Sequence, residues 1–189
     1  MNAHLPFTAP PGAAALAAPL LALGVALLPG LRLAHAAAPR TLLAKVERVS
    51  DGANLVAVAE TGTTLRVRLL GIDAPAVSHG QLPGQPFGEA ARVHLARLLG
   101  GRTVRVVPYG REGSDRILAV VFLGPTNVNV EMIEQGLARL DRGVACPAYC
   151  RDLRVAELKA RRDRVGMWGE GASCESPAAC RRRVGPQGE

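Results

Sequence analysis

The side chains whose types and spacing could do chemistry fall into two groups: a late set of cysteines and a large excess of arginine. The cysteines are Cys146, Cys150, Cys174 and Cys180, all in the last quarter of a 189-residue chain. An even number of cysteines in an oxidising compartment pairs into disulfides, and four cysteines allow three pairings. Zinc ligation is the competing chemistry. A C-x3-C pair and a C-x5-C pair separated by 23 residues match zinc-ribbon spacing poorly. The spacing does not choose among the three disulfide pairings.

Basic residues outnumber acidic ones by 23 to 16, the sequence pI is about 10.0, and only Lys45 and Lys159 are lysine. A basic surface attracts phosphate polyanions and anionic lipid alike. An arginine preference beside so much alanine and glycine also fits a GC-rich coding bias, so charge alone names no partner. Aromatic residues make up 3% of the chain, which argues against a surface that stacks the bases of single strands. The run Arg181, Arg182, Arg183 reads as a solvated tail.

The elements that must position these groups follow from the hydrophobic pattern. Residues 13–31 are an almost unbroken apolar run, and Ala34-His35-Ala36 is a small-x-small site with cleavage expected before Ala37. That reads as a secretory signal peptide over residues 1–36. The length of the run also suits an uncleaved N-terminal membrane anchor, and both readings imply export to the periplasm or beyond. From residue 41 the pattern changes. Residues 41–50, 55–59 and 64–70 alternate and are rich in β-formers, with turn signals at Asp51-Gly52 and Thr61-Gly62. A Gly/Pro-rich loop covers 71–85. Residues 86–99 have apolar positions 87, 91, 95, 98 and 99 at helical spacing, stopped by Gly100-Gly101. Two further strands are expected at 103–107 and 117–123 around a polar hairpin at 110–115, then helices at 128–135 and 151–165 and a tail from 170 to 189. Five short strands with a helix after the third fit an α+β protein built on a five-stranded OB-type barrel.

Six pieces of sequence now line up in order. They are Arg48-Val-Ser-Asp-Gly52, Val67-Arg-Leu-Leu-Gly-Ile-Asp-Ala-Pro75, Gln85-Pro-Phe-Gly88, Asp115-Arg-Ile-Leu-Ala119, Val128-Asn-Val-Glu-Met-Ile-Glu-Gln-Gly-Leu-Ala138, and Ala156-Glu157 with Gly166-Met-Trp168. Together they resemble the staphylococcal nuclease (thermonuclease) family over about residues 42–169. The resemblance implies Ca²⁺-dependent hydrolysis of phosphodiesters in DNA and RNA. It implies two metal-binding aspartates, a glutamate that activates water and two arginines that clamp the phosphate. Carried over by position, the arginines are Arg68 and Arg116 and the second aspartate is Asp73. The D-G-D-T turn of the family stands here as Asp51-Gly52-Ala53-Asn54, so the first metal aspartate is Ala53. The D-A-P-E block stands as Asp73-Ala74-Pro75-Ala76, so the glutamate is Ala76. The Lys, Tyr and Gly that precede the second arginine in the family are Gly113, Ser114 and Asp115.

These departures have physical consequences. Ca²⁺ takes six or more oxygen ligands, so Asp73 with neutral oxygens and water makes an incomplete site, and alanine contributes nothing. Asn54 offers a neutral oxygen. Asp51 is a nearby carboxylate, but on a strand it would be displaced by about 6 to 7 Å from the position of Ala53. A positioned general base contributes about 10² to 10⁴-fold, and Ala76 cannot accept a proton. His79 in the following loop and Glu89 on the helix are substitutes by type alone. An arginine pair can still hold a phosphate through charge-assisted, bidentate hydrogen bonds. It can equally form ion pairs with Asp73 or neighbouring acids, and Asp73 can serve as a turn cap before Pro75.

Three functions are compatible with this reading. The first is a catalytically degenerate nuclease-like domain that binds nucleic acid or another phosphate-rich polyanion. The second is an active metal-dependent endonuclease with a rebuilt site. The third is an envelope structural or interaction protein that uses the barrel as a scaffold. A membrane is a partner only if the N-terminal segment stays attached, and no protein partner is inferable.

Overall fold

The computed structural model describes residues 41–143 and 149–169. The apolar run at 13–31, three of the four cysteines and the 170–189 tail lie outside the described residues. Strands β1 (Leu42–Val49), β2 (Asn54–Ala59) and β3 (Thr64–Leu69) form the antiparallel meander that the alternation predicts. Alternate side chains point inward: Val46 from β1, Leu55 and Ala57 from β2, and Leu65, Val67 and Leu69 from β3 are buried. After β3 come β4 (Ile72–Asp73), helix α1 (Gly88–Leu99), β5 (Thr103–Glu112) and β6 (Arg116–Leu123). The chain continues through β7 (Thr126–Asn127), α2 (Val128–Glu134), β8 (Arg139–Leu140) and α3 (Cys150–Arg162) to a 3-10 turn at Gly166–Trp168.

The main sheet runs β3-β2-β1-β5-β6-β7, and β3 also pairs with β6 in parallel. That last pairing closes five strands into the expected OB-type barrel and removes its open edges. Val104, Val106, Ala119 and Val121 complete the interior. Helix α1 plugs the barrel with Ala91, Leu95 and Leu99, all fully buried and spaced to share one face. Helix α2 contributes Val128, Met132 and Ile133, and α3 contributes Leu153 and Ala156. Each large aliphatic side chain buried this way stabilises the fold by about 1.5 to 3 kcal/mol.

The structure departs from the sequence expectation at three boundaries. Strand β5 extends to Glu112 rather than stopping at residue 107. Pro108 and Gly110 read as strand breakers, yet they flank a one-residue bulge at which the β5–β6 register shifts. The bulged Tyr109 packs edge-on against Tyr149 at 6.2 Å between ring centres, and burial pushes its phenol pKa up. Helix α1 starts at Gly88 rather than Pro86, because Phe87 takes a left-handed conformation with φ of 66°. Helix α3 ends at Arg162 rather than 165, just before Arg164 adopts φ of 53°.

A buried asparagine fastens the helices to the barrel. The Asn129 amide donates to Leu70 O at 2.9 Å and Ala119 O at 3.2 Å, and its oxygen accepts from Val121 N at 3.0 Å. It therefore ties α2 to the end of β3 and to β6, the two strands that close the barrel.

Candidate functional site

The turn between β1 and β2 brings the first group of side chains into place. Gly52 is needed there, since a Cβ would stand 2.6 Å from that of Ala91 and 2.8 Å from that of Ala74. The turn is thereby pressed between α1 and the loop after β4. Asp51 closes it from within. Its Oδ1 accepts from Ala53 N at 2.8 Å, and both its oxygens accept from Asn54 Nδ2, at 3.0 and 2.9 Å. The consequence is that Asn54 Oδ1 faces away, buried and without a hydrogen-bond partner.

Strands β3 and β6 bring the two arginines together. Arg68 lies directly opposite Asn54 on β2, while Arg116 begins β6 in register with Arg66 on β3. Between Arg68 and Arg116 stands a carboxylate that sequence reasoning did not identify. Glu112 Oε1 is 3.6 Å from Arg68 Nε, and Glu112 Oε2 is 3.3 Å from Arg116 Nε. Arg68 has a second acid at longer range, Asp141 Oδ2 at 3.9 Å from its Nη2. The bulge at Tyr109 is what puts Glu112 opposite Arg116. A signal for this pair exists in the sequence. Three residues, Gly113 to Asp115, separate them, which a tight hairpin brings face to face, but Pro108 and Gly110 place the start of the hairpin at 110 in the sequence.

Asp73 and Ala76 occupy the third wall. Asp73, on β4, is buried and pairs in register with Arg139 on β8. β8 is held in turn from α3: buried Glu157 accepts from Leu140 N at 3.1 Å and lies 3.4 Å from Arg161. Ala76 is pinned by Gln85, which accepts from Ala76 N through its side chain at 2.9 Å and donates its own N–H to Ala76 O at 2.8 Å. Gly88 at the start of α1 sits so close to the Ala76 carbonyl that no side chain fits there.

These walls enclose a cavity of about 360 Å³. It is lined by Asp51, Ala53, Asn54, Arg68, Asp73, Ala76, Glu112 and Arg116. The structure thus brings Asp51, Asn54, Arg68, Asp73 and Arg116 to one cavity, with alanine at the two positions where the family resemblance implies acids, while Gly113, Ser114 and Asp115 do not line it. His79 does not line the cavity; it is exposed and makes a backbone bridge with Leu82. Glu89 is turned to solvent and bonded to Arg92 Nε at 2.9 Å, which holds its carboxyl below the usual range. Of the cysteines only Cys150, at the head of α3, is among the described residues, and it is not a free thiol. Its pairing lies outside the described residues, as do Cys146, Cys174 and Cys180.

The donor set of the cavity can be compared with the needs of Ca²⁺. Asp73 supplies a carboxylate, and Asn54 Oδ1 is an orphaned acceptor. Asp51 is spent on its own turn, whereas Glu112 stands 3.3 to 3.6 Å from the two arginines with its Oε2 buried and accepting no hydrogen bond. Among the described residues no three His, Cys, Asp or Glu side chains converge as a metal-holding group. A hard cation that takes six to eight oxygens with carboxylates supplying charge fits these residues poorly.

Comparison with known proteins adds sequence-level relationships. The family model of staphylococcal nuclease homologues matches residues 66–170. The chain is 32% identical over 172 residues to the "Probable endonuclease LCL3" of Clavispora lusitaniae, covering 76% of this chain and 74% of that protein. It is 34% identical to the protein of the same name from Scheffersomyces stipitis, covering 63% of this chain and 54% of that one. With the Verticillium alfalfae protein the identity is 36%, over 65% of this chain and 46% of the relative. The chain therefore spans about half the length of several relatives it matches.

Proposed function

The chain belongs to the staphylococcal nuclease homologue family, and from that premise we propose that it is a nuclease-like protein with a degenerate hydrolytic centre and a working phosphate clamp. The observation that carries this reading is the composition of one cavity. Arg68 and Arg116 converge on a single carboxylate, while Ala53 and Ala76 stand at the positions of the metal aspartate and the general base. Two guanidinium groups already placed around a carboxylate can accept a phosphodiester in the same place, because the two anions present similar oxygens to the same donors. In this reading Glu112 is displaced as the phosphate enters. The preferred ligand is nucleic acid, held by its backbone and released by salt. An exported location belongs to the same proposal and rests on the apolar run at 13–31.

A second reading has one observation in its favour. Glu112 lines the same cavity as Asp73, and a carboxylate near a bound phosphodiester can take a proton from water. In that case the chain is an active endonuclease with a relocated base.

One experiment separates the two. The purified protein is incubated with single-stranded DNA and RNA, with Ca²⁺ and with chelator, beside an Ala53→Asp, Ala76→Glu double variant and Glu112→Gln. Under the first reading wild type is inert, binds oligonucleotide, and the double variant cuts. Metal-dependent cutting by wild type that Glu112→Gln abolishes would establish the second.

A further inference from the structure

A second cavity, of about 300 Å³, adjoins the first and shares Asp51, Asn54 and Arg116 with it. Its other polar side chains are Arg48, Ser50 and Arg66. The three arginines are not scattered. Arg48 on β1 is opposite Val56 on β2, Val56 is opposite Arg66 on β3, and Arg66 is opposite Arg116 on β6. One row crosses four strands of the barrel, with its side chains on the outer face. Neighbouring strands lie about 4.8 Å apart, so Arg66 and Arg116 are immediate neighbours. Like charges directly opposite each other destabilise a sheet, which makes such a row unexpected on stability grounds alone.

A backbone irregularity completes the row. The β1–β2 register shifts between Val46 and Arg48, leaving Glu47 as an extra residue. Without that bulge Arg48 would face Leu55, whose side chain is in the core. With it, Arg48 is turned to the outer face. Bulges of this kind re-aim side chains beside functional sites.

The acids near this cavity do not fill it. Asp51 is occupied by Ala53 N and Asn54 Nδ2. Asp115 pairs with Arg66 at 2.7 Å, but both side chains are more than half exposed, so solvent screens the pair and it exchanges readily. Glu112 holds Arg116 from the side of the first cavity. Arg48 has no ion-pair partner among the described residues.

We propose that this second cavity is a phosphate subsite, and that the protein binds two successive phosphates of a single-stranded nucleic acid. One sits between Arg68 and Arg116, the other between Arg48 and Arg66. Arg66 and Arg68 lie two residues apart on one face of β3, about 6.6 Å along the strand, which is on the order of the separation of adjacent phosphates in an extended strand. The inference rests on the clamp reading for the first of the two phosphates.

The test uses the full chain, a fluorescein-labelled ten-nucleotide oligothymidylate, and thymidine 5′-monophosphate as a one-phosphate probe. Arg48→Ala and Arg66→Ala should weaken decamer binding about tenfold, the loss expected for a charge-assisted hydrogen bond. Each should also lower the slope of log affinity against log salt by about 0.7, the share of one single-strand phosphate. Monophosphate affinity should be unchanged in both, and Arg68→Ala should weaken both probes. Arg48→Lys should restore most of the salt slope. Decamer affinity and slope equal to wild type in Arg48→Ala and Arg66→Ala would overturn the second subsite while leaving the clamp intact. Equal loss of both probes would overturn it too, since the arginines would then be acting on the clamp itself. If wild type binds neither probe, the clamp reading fails first.

Discussion

Replacing Glu112 by glutamine removes the charge that competes with an incoming phosphate and keeps the side chain's shape. The structure allows its effect to be sized. Glu112 approaches Arg116 at 3.3 Å and Arg68 at 3.6 Å, and 41% of its side chain is exposed, against 45% for Arg116 and 21% for Arg68. Such partly solvated pairs contribute about 0.5 to 1 kcal/mol each. Two of them give about 1 to 2 kcal/mol that a phosphate must overcome, or about 5- to 30-fold in affinity. Glu112→Gln should therefore tighten oligonucleotide binding by that factor, measured by fluorescence anisotropy at one fixed salt concentration. Its thermal stability should fall slightly, because two arginines lose a counter-charge. Unchanged or weaker binding would refute the reasoning. It would mean that Glu112 orients the guanidinium groups for the ligand rather than competing with it.

The Ala53→Asp, Ala76→Glu variant should gain Ca²⁺-dependent thermal stabilisation that wild type lacks, approaching about 2.7 kcal/mol at a hundredfold excess over the dissociation constant; a calorimetric scan with and without Ca²⁺ reads it. Asn129→Ala should cost about 2 to 3 kcal/mol in denaturant unfolding, because Val121 N and the Leu70 carbonyl lose a buried partner; a loss below 0.5 kcal/mol would contradict its role as a fastener. Gly88→Ala should destabilise by about 3 kcal/mol through collision with the Ala76 carbonyl, and should also blunt any activity gained by Ala76→Glu, seen by combining the variants.

Most of the barrel was legible because its strands alternate cleanly and its turns carry glycine. The meander and the plugging helix follow from periodicity alone. Arg68, Asp73 and Arg116 were legible through the family resemblance, and the structure gathers them into one cavity. What escaped was local and geometric. Pro108 and Gly110 hid the second half of β5, because residues that break an ordinary strand are accommodated beside a bulge. With β5 cut short, Glu112 looked like part of a loop, and its contact with both arginines could not be foreseen. Strand geometry places Asp51 too far from Ala53 to substitute for it. It does reach the cavity, but its oxygens are consumed by the turn it closes. The two-residue strands β4 and β8 carry no periodicity, so the pairing that places Asp73 beside Arg139 had no sequence signature.

The bulge at Tyr109 makes the charge beside the clamp a matter of strand register as well as residue identity. Drawing Tyr109 into regular pairing with Leu118 would slide the end of β5 by one position and bring Arg111, instead of Glu112, opposite Arg116. An acid–base contact would become a confrontation of two cations, with no substitution anywhere in the cavity. Loss of the bulged residue itself would be neutral in this respect: Pro108 and Gly110 would pair with Ala119 and Leu118 without interruption, and Glu112 would stay opposite Arg116. A lineage carrying this hairpin can therefore shed the extra residue and keep its clamp self-neutralised.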